Sequence, residues 1–202
     1  MSGTTLEQFS YDNKIVKYFG AATIVWGLAG MLIGVIAATQ LFLPEANFGN
    51  PYTTFGRIRP LHTNAVIFAF GGGALFASSF YIVQRTSHAR LISDRLAALV
   101  FWGWQAACVA MPISYALGYT TSKEYAEMEW PIALWVTLIW VLYAYLFFGT
   151  IARRRIRHIY VGNWFFGAFI IVTGMVHIIN HALVPVGPLK SYSLYSGATD
   201  AM

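Results

Sequence analysis

His62 is the residue in this sequence best placed to do chemistry. It stands where a charged loop, Arg57-Ile-Arg-Pro-Leu-His62, runs into the apolar stretch Ala65-Val-Ile-Phe-Ala-Phe-Gly-Gly-Gly73. An ionisable side chain at the edge of a membrane span is costly unless something engages it, which makes an intramembrane histidine a functional candidate. On a regular helix Ala65, Val66, Ala69, Gly72 and Gly73 share its face. A row of small residues beneath an imidazole leaves a flat slot one side chain deep. That shape suits a planar macrocycle whose iron takes the imidazole nitrogen, and haem is the natural guest. Arg57 and Arg59, just before the helix, could pair with haem propionates through charge-assisted bonds. The competing reading is that the small residues let another helix approach closely, with the histidine bonded to a backbone carbonyl.

Other candidates are weaker. His177 and His181 lie four apart, on one helical face, with Asn180 beside them, but the residues between them lack the glutamate of a zinc-protease motif and no third ligand is evident. They could line a cofactor pocket or bond within the bundle. Glu124, Glu127 and Glu129 form the one acidic cluster. Carboxylates there could hold a hard cation such as calcium, although their spacing is unlike an EF-hand and also suits a solvated loop. His88 and His158 sit among arginines in short loops, and the single Cys108, in an apolar run, excludes a disulfide framework within the chain.

The elements that must carry these residues are membrane helices. The chain is 57% hydrophobic and 10% charged, far from a soluble domain's balance. A hydrocarbon core of roughly 30 Å needs about 20 apolar residues as helix. Five stretches qualify, at 18–43, 61–83, 96–118, 130–152 and 160–184, so the fold class is an all-α membrane protein with five transmembrane helices in one domain. The first is too long, and too acidic ahead of it at Glu7 and Asp12, for a cleavable signal. Asp12 or Asn13 should cap it, and Gly27, Gly30 and Gly34 should form a packing face. Pro112 should kink the third. Nine of the 13 basic residues (Lys14, Lys17, Arg85, Arg90, Arg95, Arg153, Arg154, Arg155, Arg157) fall on one side, which makes the N-terminus cytoplasmic and sets His62 near the outer surface. The net charge of +5 is parcelled into short loops, where it suits a membrane and anionic lipid and does not suggest nucleic acid. The tail from residue 185 onward is polar and carries no sixth span.

Three runs give the sequence a specific likeness: Gly56-Arg-Ile-Arg-Pro-Leu-His62-Thr-Asn-Ala, Thr121-Ser-Lys-Glu-Tyr-Ala-Glu127 with Glu129-Trp-Pro131, and Lys190-Ser-Tyr-Ser-Leu-Tyr-Ser-Gly-Ala-Thr-Asp200. Together they resemble the catalytic subunit I of cbb3-type cytochrome c oxidases, members of the haem-copper oxidase superfamily, over essentially all 202 residues. The resemblance implies reduction of oxygen to water with electrons from cytochrome c, coupled to proton pumping across a bacterial inner membrane, in a complex with c-type cytochrome subunits. It implies that His62 is an axial ligand of the low-spin haem b, that Arg59 neighbours the propionates, and that Glu124 takes part in a calcium site near them. Family members have about twelve helices, and the high-spin haem, the copper and the second low-spin ligand belong to the later ones. The chain therefore resembles the first part of that bundle, as a fragment, a split protein or a truncated gene product. His177 and His181 do not match the family's ligands. Two rivals remain open: a nitric oxide reductase-like subunit, with a similar second helix, and a non-enzymatic haem b anchor using His177 or His181 as second ligand. A cofactor-free transport protein is disfavoured, since no span carries paired charges or a broken-helix site.

Overall fold

A computed structural model describes residues 10–121 and 123–193. Among the described residues five helices are long and apolar enough to cross a membrane: α1 (Asn13–Gln40), α2 (Phe55–Thr86), α3 (Asp94–Leu117), α4 (Trp130–Ala152) and α5 (Val161–Asn180). Two short strands follow, β1 (Leu183–Gly187) and β2 (Lys190–Ser193), paired antiparallel. The hairpin was not anticipated, because its alternation is too short to stand out beside the long spans. Its turn signal, Gly187-Pro188, is visible in the sequence. The part of the third family-like run beyond Ser193, and the acids ahead of Asp12, lie outside the described residues.

The helix ends follow local chemistry. Asp12 caps α1 as expected, accepting from the backbone N–H groups of Lys14 and Ile15 at 3.1 and 3.2 Å. Ser93 caps α3 through Leu96 N at 3.2 Å. Helix α4 begins at Trp130 with Pro131 in its first turn, where a missing N–H costs nothing, and matches the expected 130–152. Helix α3 runs through Pro112 without interruption. Helix α5 stops at Asn180, four residues short of the expected boundary, because the chain turns there into the hairpin.

The core forms around aromatic side chains that meet where four helices converge. Phe76 of α2 lies 4.8 Å from Phe19 of α1, 4.9 Å from Trp104 of α3 and 4.4 Å from Tyr143 of α4, centroid to centroid. Such pairs contribute about 0.5–1.5 kcal/mol each beyond area burial. Polar handles are satisfied across helices: Tyr143 donates to Ser79 Oγ at 2.8 Å, Trp135 to the Gly103 carbonyl at 2.8 Å and Trp140 to the Ile170 carbonyl at 2.8 Å.

At the end holding the first residues of α1, fully buried Gln84 closes the bundle. Its Oε1 accepts from Asp12 N at 2.6 Å, and its Nε2 donates to the carbonyls of Asp12 and Phe80 at 3.2 and 2.9 Å. Gln84→Leu strands both backbone groups of Asp12, at about 1–3 kcal/mol. The expected result is a lower unfolding temperature and faster tryptic cleavage after Lys14 and Lys17; parent-like values in both assays would remove Gln84 as the lock.

Candidate functional site

Helix α2 carries the site, and it is not a uniform α-helix. Residues Phe55–Asn64 and Gly73–Thr86 are α-helical, but Ala65–Gly72 between them form a π-helix, whose wider turn shifts the faces that follow. The α1-facing row is therefore His62, Ala65 with Val66, then Phe70 and Gly73, where regular periodicity gave Ala69 and Gly72. A side-chain carbon at Gly30 would meet Val66 at 3.0 Å and Ala65 at 3.4 Å, one at Gly27 would meet the Phe70 ring at 2.8 Å, and Gly73 faces Thr23. Ala69 instead lines a cavity of about 170 Å³ with Cys108 and Met111, and Gly72 lies against Trp104. Beneath His62, helix α1 packs closely on Val66, Phe70 and Gly73, as the competing reading had it, while Ala65 lines the cavity together with Ala69. The packing face of α1 at Gly27, Gly30 and Gly34 stands where expected.

His62 is held against that same face. Its Nδ1 lies 2.8 Å from the Gly30 carbonyl oxygen. A carbonyl only accepts, so Nδ1 carries the proton and Nε2 keeps its lone pair. Gly34, one turn beyond Gly30, makes the contact geometrically feasible: a Cβ there would come within 2.7 Å of Nδ1 and 3.1 Å of Nε2. Among the described residues Nε2 has no hydrogen-bond partner.

The two arginines part company. Arg57 Nη1 donates to the Tyr115 carbonyl at 3.2 Å, and its guanidinium rests on Gly118, whose φ of +90° ends α3 in the left-handed region. It caps the electronegative end of α3. Arg59 forms an ion pair with Glu124 in the loop between α3 and α4, with both side chains partly exposed. Among the described residues no cluster of three acidic, imidazole or thiol groups is poised for a metal.

Glu127 is the acid that burial changes. It is 5% exposed and accepts from Asn64 Nδ2 at 2.9 Å. Burial pushes its carboxyl above the ordinary 4.5, against the lowering effects of the Asn64 bond, backbone N–H groups and Arg59. The folded state then binds the proton more tightly than the unfolded chain, so this group's stabilisation is full below 4.5 and is lost as pH rises through the raised value. Glu127→Gln should flatten that stretch of a thermal-stability profile while keeping the Asn64 bond; an unchanged slope would place the titration elsewhere. Glu129, also buried, accepts from Ser191 of β2 at 2.6 Å and pins the hairpin to the start of α4, helped by Trp130 donating to the Gly187 carbonyl at 2.9 Å.

The paired histidines are engaged with protein. His177 Nε2 donates to the Ala133 carbonyl at 3.1 Å, and His181 Nδ1, at the cap of α5, to the His177 carbonyl at 3.0 Å. Their rings lie 4.2 Å apart at a tilt of 39°, and His177 lines an apolar cavity with Phe68 of α2, Trp104 of α3 and Trp140 of α4. Sequence reasoning passed over Asn64 and Tyr115. The available signal for Asn64 was a second polar residue in the His62 turn at the start of an apolar span.

An all-helical membrane bundle that presents a tautomer-fixed imidazole at one end of its second span defines the class: the family model described as Cytochrome C and Quinol oxidase polypeptide I matches residues 14–202, and the chain belongs to that family. Within it, the chain is 57% identical to the "Cbb3-type cytochrome c oxidase subunit CcoN1" of Stutzerimonas stutzeri, over 98% of this chain and 42% of that protein. It is 48% identical to the "Cytochrome c oxidase subunit 1 homolog" of Agrobacterium tumefaciens, over 100% of this chain and 38% of that one, and 49% identical to "Cytochrome c oxidase subunit 1" of Rhodobacter capsulatus, over 95% and 37%. The chain spans about two fifths of the length of these curated relatives.

Proposed function

We propose that this chain supplies, through His62 Nε2, one axial ligand of a low-spin haem b in a cbb3-type terminal oxidase that reduces oxygen to water with electrons from cytochrome c and pumps protons. The observation that carries it is the Nδ1 bond to the Gly30 carbonyl. Metal-ligating histidines nearly always donate their second ring nitrogen to a carbonyl or carboxylate, which fixes the tautomer and raises ligand basicity. The residues present fit the group: a bare Nε2, a ring orientation set by Gly30 and Gly34, and Arg59 one turn earlier at the membrane edge. Held by His62 and a second ligand from the later helices, the haem would supply a one-electron relay. What the chain contributes is orientation: His62 is wedged on α1, and Arg59 is aimed by Glu124 and available to propionates. Arg57 acts on the same end by fixing α3. The remaining helices of the subunit would bring the second ligand, the high-spin haem and the copper, with c-type cytochrome subunits delivering electrons. The arginine-rich loops at the other end support a cytoplasmic N-terminus, with the bundle in the inner membrane of a bacterial cell.

Calcium at Glu124 belongs to the same proposal and would compete with the Arg59 guanidinium. Glu124→Gln should lower the calcium content of the purified full-length complex; unchanged content would remove calcium from the account. The functional reading itself is tested in membranes lacking the full-length gene: oxygen uptake driven by reduced cytochrome c should vanish and return with the gene. Uptake that persists would assign the oxidase activity elsewhere.

A further inference from the structure

We propose that Asn64 is a positioning residue that ties the His62 turn to the outer acidic loop and to α3, and thereby sets the charge Glu127 presents at that end of the bundle. Its redox consequence rests on the reading of His62 as a haem ligand; its contacts do not.

Asn64 is 2% exposed and lies two residues beyond His62. Its side-chain amide is engaged on both halves. Nδ2 donates one hydrogen to the Pro60 carbonyl at 2.8 Å and the other to Glu127 Oε2 at 2.9 Å, while Oδ1 accepts from the Tyr115 hydroxyl at 3.2 Å. Three separate elements meet at one side chain: α2 itself, α3, and the loop between α3 and α4. Because Pro60 O and a carboxylate only accept, the amide has one orientation, and Tyr115 must donate. Few other residue types meet these demands. Aspartate would set a second carboxylate against Glu127, and leucine would remove the side-chain donor to Glu127 and the acceptor of the Tyr115 hydroxyl in a buried place. Glutamine is one methylene too long for the turn back to Pro60.

The other members are equally constrained. Glu127 is presented by a loop that bonds to itself, with Thr121 N and Thr120 Oγ1 both donating to the Glu127 carbonyl, at 2.9 and 3.0 Å, and Thr121 Oγ1 to the Ala126 carbonyl at 2.7 Å. The same loop is fastened to the same helix a second time, by Arg59 on Glu124. Asn64 is also the last α-helical residue before the π segment, so the network holds α2 where its backbone geometry changes. Arg59 from α2 and Tyr115 from α3 act on Glu127, while on its own loop Lys123 donates to the Asn180 carbonyl at 3.0 Å and Glu124 pairs with Arg59.

The test uses the full-length complex carrying Asn64→Leu, Glu127→Gln, both together, and Tyr115→Phe. Glu127 deprived of its amide donor holds its proton more tightly, and the diminished negative charge leaves the oxidised haem less stabilised. Asn64→Leu at retained haem content should raise the low-spin midpoint by on the order of tenfold in the reduction equilibrium, about 59 mV for one electron. Glu127→Gln should do the same, and the double variant should add nothing further, since both act on one charge. Tyr115→Phe should give a smaller shift in the same direction. In parallel, the protonated-carboxyl infrared band that Glu127→Gln removes should persist to higher pH in Asn64→Leu than in the parent. Additive midpoint shifts, or an unmoved infrared titration, would overturn the proposal. If Asn64→Leu fails to assemble, Tyr115→Phe carries the test, and no shift in either readout overturns it. An infrared shift with no low-spin haem in the parent complex would instead leave the Asn64 tie standing and defeat the haem reading.

Discussion

His62→Ala in the full-length complex is expected to remove the low-spin haem b signal and, with it, turnover on reduced cytochrome c. The reason is local. Among the described residues, the other histidines of the spans are engaged elsewhere: His177 and His181 both donate to backbone carbonyls, of Ala133 and of His177. The substitution should leave the bundle intact, because His62 is only partly buried and its one hydrogen bond goes to a carbonyl already within a helix. A thermal unfolding curve close to the parent's, together with a missing low-spin band, is the expected pair of results. Loss of both would make His62 a packing residue.

Gly34→Ala is the second large effect expected, and it runs against helix propensity. In an exposed helix interior the change stabilises by about 0.8–1.0 kcal/mol. Here the added carbon would overlap the His62 ring, 2.7 Å from Nδ1. The ring must turn, and the bond to Gly30 is lost. Losing an outer partner of a metal-ligating histidine typically costs 10–100-fold in metal affinity. The account therefore predicts an α1 that is no less stable and a low-spin haem content reduced severalfold. Gly20→Ala is the control, since nothing lies within 4 Å of its Cβ position. Equal haem content in both variants would show that Gly34 does not seat the imidazole.

What could be read from the sequence divides along physical lines. The five spans were legible because a membrane demands long apolar runs, and α4 was legible to the residue because Trp130-Pro131 and Arg153 punctuate it chemically. The packing face of α1 was legible because glycines at helical spacing have few other uses. The row of α2 that faces α1 was misread because hydropathy carries no sign of a π turn; one wide turn replaces Ala69 with Phe70 in that row. Arg57 was read, with Arg59, as a partner for propionates, yet the left-handed Gly118 ends α3 within its reach, a pairing of distant residues that no local pattern shows. The Tyr115, Asn64 and Glu127 network was hidden for the same reason, its members being 51 and 63 residues apart.

The central claim is tested most directly by reduced-minus-oxidised visible spectra of the full-length complex, recorded with and without carbon monoxide, for the parent and for His62→Ala. The account predicts a low-spin b band in the parent that carbon monoxide leaves unchanged, alongside a carbon-monoxide-reactive haem from the rest of the subunit, and the selective disappearance of the first in His62→Ala. A full low-spin band in His62→Ala would contradict it.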